Sequence, residues 1–221
     1  MIKHLPQLIN LFATLILLLS FAMISQRRIV SLINLFMIQG AALVATSFLL
    51  AYVTHQSDLY VSGFLTLVLK VLFIPWMLHR VIRKLDVRWD IETLINIPTT
   101  MLVGIALVIF SFSLTLPISR LSGSIAGGSL GIALACVLLS FMMMITRSKA
   151  VPQVIGFLSM ENGLIFAATT VTNGMPMIVE FGIALDVLVG VLILGVFMFQ
   201  IREKFDSLDI HHLEALKEVT R

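Results

Sequence analysis

Charged residues are scarce in this sequence, and that scarcity excludes a soluble fold. Asp, Glu, Lys and Arg make up only 12% of the 221 residues, whereas soluble domains carry about 25%. Hydrophobic residues make up 59% of the chain, and the mean hydropathy is +1.06. A chain of this composition has too few polar groups to cover its surface in water, so its solvent must be a lipid bilayer.

Cysteine is nearly absent as well, which limits the redox chemistry of the chain. The single Cys136 excludes an internal disulfide and an iron–sulfur cluster held by this chain alone. The sequence also lacks a Walker phosphate-binding loop, a G-x-S-x-G nucleophile motif and the spacing of zinc ligands. We therefore expect neither a self-contained enzyme nor a cofactor bound to this chain.

Long apolar runs are what the sequence does contain. A helix that crosses a bilayer needs about 20 mostly apolar residues, because the hydrocarbon core is about 30 Å thick and offers no water to the backbone. We predict an all-α integral membrane protein with about seven transmembrane helices, at 5–26, 29–53, 58–80, 94–116, 126–147, 151–173 and 176–201.

The basic residues between these helices indicate which side of the membrane each loop occupies. Only Lys3 and Arg120 fall on one side, Lys70 falls within the membrane, and the remaining Lys and Arg residues share the other side. Cytoplasmic loops carry the excess of Lys and Arg. This rule predicts an external N-terminus and a cytoplasmic C-terminus, and it attributes the positive charge to topology and not to nucleic-acid binding.

The two halves of the sequence resemble each other. The matching positions are Leu19–Met23 and Arg27 with Leu139–Met143 and Arg147, Gln39 with Glu161, and Leu69–Leu72 with Leu185–Leu188. Transporter folds are often built from repeated helix groups whose interface holds the polar pathway. The match predicts repeats at 1–90 and 126–206, with a linking helix within 91–125. After them, an apolar stripe that runs from Leu208 to Val219 among polar residues predicts a cytoplasmic amphipathic tail at 207–221. Chance similarity between Leu-rich helices is the alternative.

Polar residues within the predicted helices are the candidate functional residues. An ionisable side chain at the bilayer centre costs at least about 2.5 to 3.5 kcal/mol on insertion scales, so it is rarely found there without a partner or a function. The candidates are Lys70, Glu161, Asp186, Glu180 and the amide of Gln39. One interpretation is a proton or cation relay between carboxylates and the lysine. The other is a structural ion pair between Lys70 and one acid that locks two helices together.

Four segments, taken in order, resemble a known family. They are Lys70–Pro75 (KVLFIP), Gly156–Gly163 (GFLSMENG), Val179–Asp186 (VEFGIALD) and Leu208–Lys217 (LDIHHLEALK). Together they resemble component E of hydrogenase-4-type membrane complexes, over nearly the whole chain. The resemblance implies a non-catalytic subunit of a complex-I-related [NiFe] hydrogenase in a prokaryotic inner membrane. It also implies antiporter-like and anchor subunits as partners, and a soluble arm that carries the NiFe centre and the iron–sulfur clusters.

The last three predicted helices are similar to the K-type subunit of respiratory complex I and to the C-type subunit of cation/proton antiporters. Those subunits carry a membrane glutamate in their second and third helices. Asp186 takes the third-helix position. Leu158 takes the second-helix position, and Glu161 lies three residues later on the same face. The resemblance thus implies a role in proton or sodium translocation, with a structural scaffold and a free-standing transporter as alternatives.

Overall fold

The computed structural model describes residues 5–55, 57–85, 94–122 and 126–172, with the isolated positions 188 and 190. The elements of these ranges are helices α1 (Leu5–Ser25), α2 (Ile29–Thr54), α3 (Ser57–Thr66), a π-helical segment (Leu67–Phe73), α4 (Ile74–Leu85), α5 (Ile97–Ser122), α6 (Ala126–Thr146) and α7 (Ala150–Thr172). Apart from positions 188 and 190, the predicted last helix at 176–201 lies outside the described residues, and so do Glu180, Asp186 and the tail at 207–221.

Six stretches of the described residues are long and apolar enough to cross a bilayer. They are Gln7–Ser25, Ile29–Thr54, Leu59–Arg80, Ile97–Pro117, Gly128–Thr146 and Ala150–Thr170. Each coincides, within a few residues at either end, with one of the predicted transmembrane helices. The prediction of an all-α membrane protein is therefore confirmed.

The third of these spans changes its helical form midway. After α3, a π-helical segment carries the chain to Phe73, and the amide of Ile74 bonds to the carbonyl of Leu69, five residues earlier. Pro75 follows at once, and proline has no N–H and crowds the carbonyl four residues before it. A widened turn relieves that crowding. Lys70 lies in the middle of this widened turn.

The centre of the fold is built from α1, α2, α6 and α7. Helix α1 packs against α2 and α6, α2 packs against α7 and the π-helical segment, and α6 lies between α5 and α7. An apolar cluster at this centre includes the buried side chains of Met23, Phe36, Leu139 and Leu158. Helices that correspond in the two sequence halves, α1 with α6 and α2 with α7, thus contact each other. The predicted repeat itself stays a prediction.

Candidate functional site

Lys70 and Glu161 form an ion pair inside the helix bundle. Lys70 comes from the π-helical segment and Glu161 from α7, and Lys70 Nζ lies 3.2 Å from Glu161 Oε1. Their side chains are 0% and 1% exposed. Both residues belong to spans that are long and apolar enough to cross the membrane. The structure therefore brings together two of the predicted site residues, which are distant in sequence, and leaves their charges balanced.

Asn162, which the sequence analysis did not single out, gives the Lys70 ammonium a second partner. Lys70 Nζ donates a hydrogen bond to Asn162 Oδ1 at 3.1 Å, and the Asn162 side chain is fully buried. Successive residues of a helix point about 100° apart. Glu161 and Asn162 can therefore contact the same ammonium from adjacent positions of α7.

Gln39 continues the polar contacts from Asn162 into the centre of the bundle. Asn162 Nδ2 donates to Gln39 Oε1 at 3.2 Å, and Gln39 Nε2 donates to Ser20 Oγ at 2.7 Å and to Ser159 Oγ at 3.1 Å. Ser140 Oγ donates to Ser159 Oγ at 2.9 Å. These residues form a buried polar chain through α1, α2, α6 and α7, which we call the amide–serine chain (Asn162, Gln39, Ser20, Ser159 and Ser140).

The amide–serine chain has a direction. Each amide presents its oxygen on the side of Lys70 and its NH₂ group on the side away from it. An ammonium has only donors, so it requires an acceptor from Asn162, and this requirement orients the next amide. Amide side chains do not titrate, so Gln39 and Asn162 orient the charge of the site. Among these residues, the protonation state can change only at Lys70 and Glu161.

Within the amide–serine chain, two hydrogen bonds join residues that are separated by the same number of positions in the sequence. Gln39 bonds to Ser20 and Ser159 bonds to Ser140, and in both cases the partners are 19 residues apart. Gln39 and Ser159, which contact each other, are 120 residues apart. The sequence comparison matched Gln39 with Glu161, but Ser159 is the residue whose contacts mirror those of Gln39. The serines could have been found from sequence, because Ser20 and Ser140 hold the same place in Leu19–Met23 and Leu139–Met143.

Leu158, which the sequence analysis aligned with the second-helix glutamate of the K-type and C-type subunits, lies in the apolar core and is fully buried. The negative charge of α7 lies one turn later, at Glu161, and faces Lys70. Of the other predicted site residues, Gln39 belongs to the amide–serine chain. Glu180 and Asp186 lie outside the described residues, so their roles stay predictions.

Arg147, at the end of α6, joins the two halves of the fold. Its side chain is 1% exposed, and Nη2 donates to the carbonyls of Ile24 at 2.6 Å and Met23 at 3.4 Å. These carbonyls lie at the C-terminal end of α1, where the helix dipole is negative and favours a cation. Burial lowers the pKa of Arg147, but arginine remains charged at neutral pH. The contact is a structural one, outside the ion pair.

Comparison with known proteins finds relatives along nearly the whole chain. The sequence is 31% identical over 212 residues to the uncharacterized protein Rv0085 of Mycobacterium tuberculosis (strain ATCC 25618 / H37Rv), with 96% of each chain covered. It is 22% identical over 210 residues to hydrogenase-4 component E of Escherichia coli (strain K12), with 95% of this chain and 97% of that protein covered. Component E of Shigella flexneri gives the same values. No family model matches, and no solved structure gives a significant match.

Proposed function

The chain belongs to the same family as protein Rv0085 of Mycobacterium tuberculosis, and from this membership and the similarity to hydrogenase-4 component E we propose that it is a membrane subunit of a hydrogenase-like complex. In this proposal the complex is related to respiratory complex I and lies in a prokaryotic inner membrane. The chain links antiporter-like subunits to the membrane anchor. The NiFe centre and the iron–sulfur clusters belong to the soluble arm.

The buried pair of Lys70 and Glu161 is the observation that supports a role in ion translocation. Two states of this pair carry no net charge: ammonium with carboxylate, and amine with carboxylic acid. A net charge in the bilayer core costs at least about 2.5 kcal/mol. Transfer of a proton within the pair avoids this cost, because Nζ and Oε1 are only 3.2 Å apart.

Coupling to the rest of the complex follows from the same cost. A proton that leaves or joins the pair from outside changes its net charge, and this step becomes favourable only when a charge nearby changes in compensation. Electrostatic or conformational changes in neighbouring subunits thereby control the protonation of Lys70 and Glu161. We propose H⁺ as the ion handled by this pair, and Na⁺ movement, where it occurs, through an antiporter-like subunit.

The π-helical segment gives Lys70 a way to move. π-helical turns inside longer helices occur frequently at functional sites. Here the widened turn of Leu67–Phe73 carries the lysine of the pair. Return of this turn to α-helical geometry would rotate Lys70 relative to α7 and separate its ammonium from Glu161.

Charge-neutralising variants test the proposal in assembled complexes reconstituted into vesicles. Glu161→Gln alone leaves a buried lysine without its carboxylate, and breaking such a pair costs about 3 to 5 kcal/mol. The informative variant is therefore the double change Lys70→Met with Glu161→Gln, which removes both charges together. We expect normal hydrogenase activity with an artificial electron donor, and loss of proton movement. Glu161→Asp keeps the charge and should retain part of that movement.

The scaffold alternative makes the opposite prediction for the same double variant. If the pair only locks the π-helical segment to α7, complexes without both charges should assemble and still move ions, and the relay proposal would be rejected. The free-standing transporter alternative is tested by affinity purification of the tagged chain from native membranes. Recovery of the chain without hydrogenase subunits would favour it.

A further inference from the structure

Glu161 and Asn162, which both contact Lys70, are groups of different kinds, and the difference matters for the location of the proton. Glu161 can accept the proton from the ammonium, whereas the Asn162 amide cannot. A neutral amine is a weaker donor than an ammonium, so the bond from Lys70 Nζ to Asn162 Oδ1, 3.1 Å long, is stronger when Lys70 is charged. Of the two states without net charge, Asn162 thus favours ammonium with carboxylate over amine with carboxylic acid.

Gln39 keeps Asn162 in the orientation that this bond requires. If the Asn162 amide were reversed, its NH₂ group would face the donors of Lys70, and its oxygen would face Gln39 Oε1. Both contacts are unfavourable. Ser20 opposes a matching reversal of Gln39. The Ser20 hydroxyl donates to the carbonyl of Ile16 at 3.0 Å, which leaves its oxygen to accept from Gln39 Nε2 at 2.7 Å. Ser20 therefore holds Gln39, and Gln39 holds Asn162.

From this geometry we infer that Asn162 is the positioning residue of the ion pair: its amide, oriented by Gln39, keeps the shared proton on Lys70 and leaves Glu161 as the carboxylate. This inference rests on the proposed function, because it assigns the resting state of the pair that would carry protons. A hydrogen bond to a charged group is equivalent to at least about a tenfold change in an equilibrium constant. Its loss between side chains that are at most 1% exposed should move the proton to Glu161.

Infrared spectroscopy of the purified full-length protein in lipid, at neutral pH, tests the inference directly. A protonated carboxylic acid has a C=O stretching band that a carboxylate lacks, and subtraction of the spectrum of the same protein with both Lys70→Met and Glu161→Gln assigns the band to Glu161. We expect no such band in the unsubstituted protein. Asn162→Leu should produce it, and Asn162→Ser, which keeps an acceptor oxygen, should weaken it again.

Two further variants separate positioning from a general loss of packing. Gln39→Leu removes the partner of the Asn162 NH₂ group and should also produce the Glu161 acid band. Ser47→Ala is the control: this buried serine of α2 donates to the carbonyl of Leu43 at 3.1 Å and lies outside the amide–serine chain, so its substitution should leave the spectrum unchanged. The Glu161 band in the unsubstituted protein, or its absence in both Asn162→Leu and Gln39→Leu, would overturn the inference. The first of these results requires only that the reference variant used for the subtraction folds.

The spectroscopic outcome is independent of the transport outcome. If the double variant Lys70→Met with Glu161→Gln still moves protons, the proposed function fails. The location of the proton in the resting pair would nevertheless be settled by the infrared bands. If proton movement is lost but both Asn162→Leu and Gln39→Leu leave Glu161 ionised, the relay stands and the positioning role of Asn162 fails.

Discussion

Arg147 and Arg27 occupy matching places in the two sequence halves, but only one of them is buried. Arg147 is 1% exposed and bonds to the end of α1 through the carbonyls of Ile24 and Met23, whereas Arg27 is exposed. The difference arises from the surroundings, because the end of α6 packs into the fold and the loop after α1 faces outward. The same residue type at the same motif position therefore has different consequences for stability.

Substitution of these two arginines gives a matched comparison. Arg147→Ala removes hydrogen bonds from a charged donor, each with a net contribution of about 1.5 to 3 kcal/mol. It also leaves two carbonyls at the end of α1 without that donor. We expect Arg147→Ala to lower the free energy of unfolding by at least about 2 kcal/mol, and Arg27→Ala to change it by less than about 0.5 kcal/mol. Equilibrium unfolding in mixed micelles measures both, and equal effects would contradict the role of the buried guanidinium.

Among the helices, the contact between α6 and α7 depends on a close approach at Gly156. A Cβ atom added there would lie 2.8 Å from Met144 Cγ and 3.3 Å from the carbonyl oxygen of Ser140. Ser140 also donates to Ser159 in the amide–serine chain. A side chain at Gly156 would therefore push α7 away from α6 close to the polar residues, which explains the need for glycine at this position.

Gly156→Ala should destabilise the protein and disturb the site, because overpacking typically costs about 1 to 3 kcal/mol. Gly128 is the matched control: it lies in α6, and a Cβ added there meets no atom of the described residues within 4 Å. Gly128→Ala should be neutral or slightly stabilising, since alanine favours a helix over glycine by about 1 kcal/mol. Thermal unfolding in lipid nanodiscs compares the two. A neutral Gly156→Ala would show that α6 and α7 separate without cost.

At the scale of the whole molecule, two contacts bring the ends of three membrane-spanning helices together at one end of the bundle. The bond from Arg147 Nη2 to the Ile24 carbonyl brings the end of α1 to the end of α6. The amide of Leu94 donates to the carbonyl of Thr146 at 3.0 Å, which brings the start of the fourth span to the same level. The predicted helices cross the membrane alternately in opposite directions, and this order puts the same three helix ends on one side. From the basic residues nearby we propose that this side is cytoplasmic.

Labelling of single cysteines tests that orientation. In a Cys136→Ser background, cysteines placed at 83–88 or after residue 202 should react with a membrane-impermeant reagent only in inverted vesicles, because Lys- and Arg-rich segments remain in the cytoplasm. Cysteines in place of Lys3 or Arg120 should react in intact cells. The reverse pattern for the C-terminal segment would mean that the orientation proposed from the charge distribution is inverted.

Composition and the length of the apolar runs were enough to predict the class of the fold and to single out the two charged residues of the described site. Hydropathy is a property of each segment alone, so the spans from Gln7–Ser25 to Ala150–Thr170 followed from composition and length. Lys70 and Glu161 stood out for the same local reason, since a charge among apolar residues is costly wherever the helix packs.

The side-chain contacts between these residues depend on how the helices pack. The pairing of Lys70 with Glu161 and Asn162 depends on the faces that the π-helical segment and α7 turn toward each other, and a widened turn changes the face in a way that regular helical periodicity does not predict. The contact of Gln39 with Ser159 likewise depends on how α2 packs against α7. Such contacts join residues that are far apart in sequence, and local composition carries no information about them.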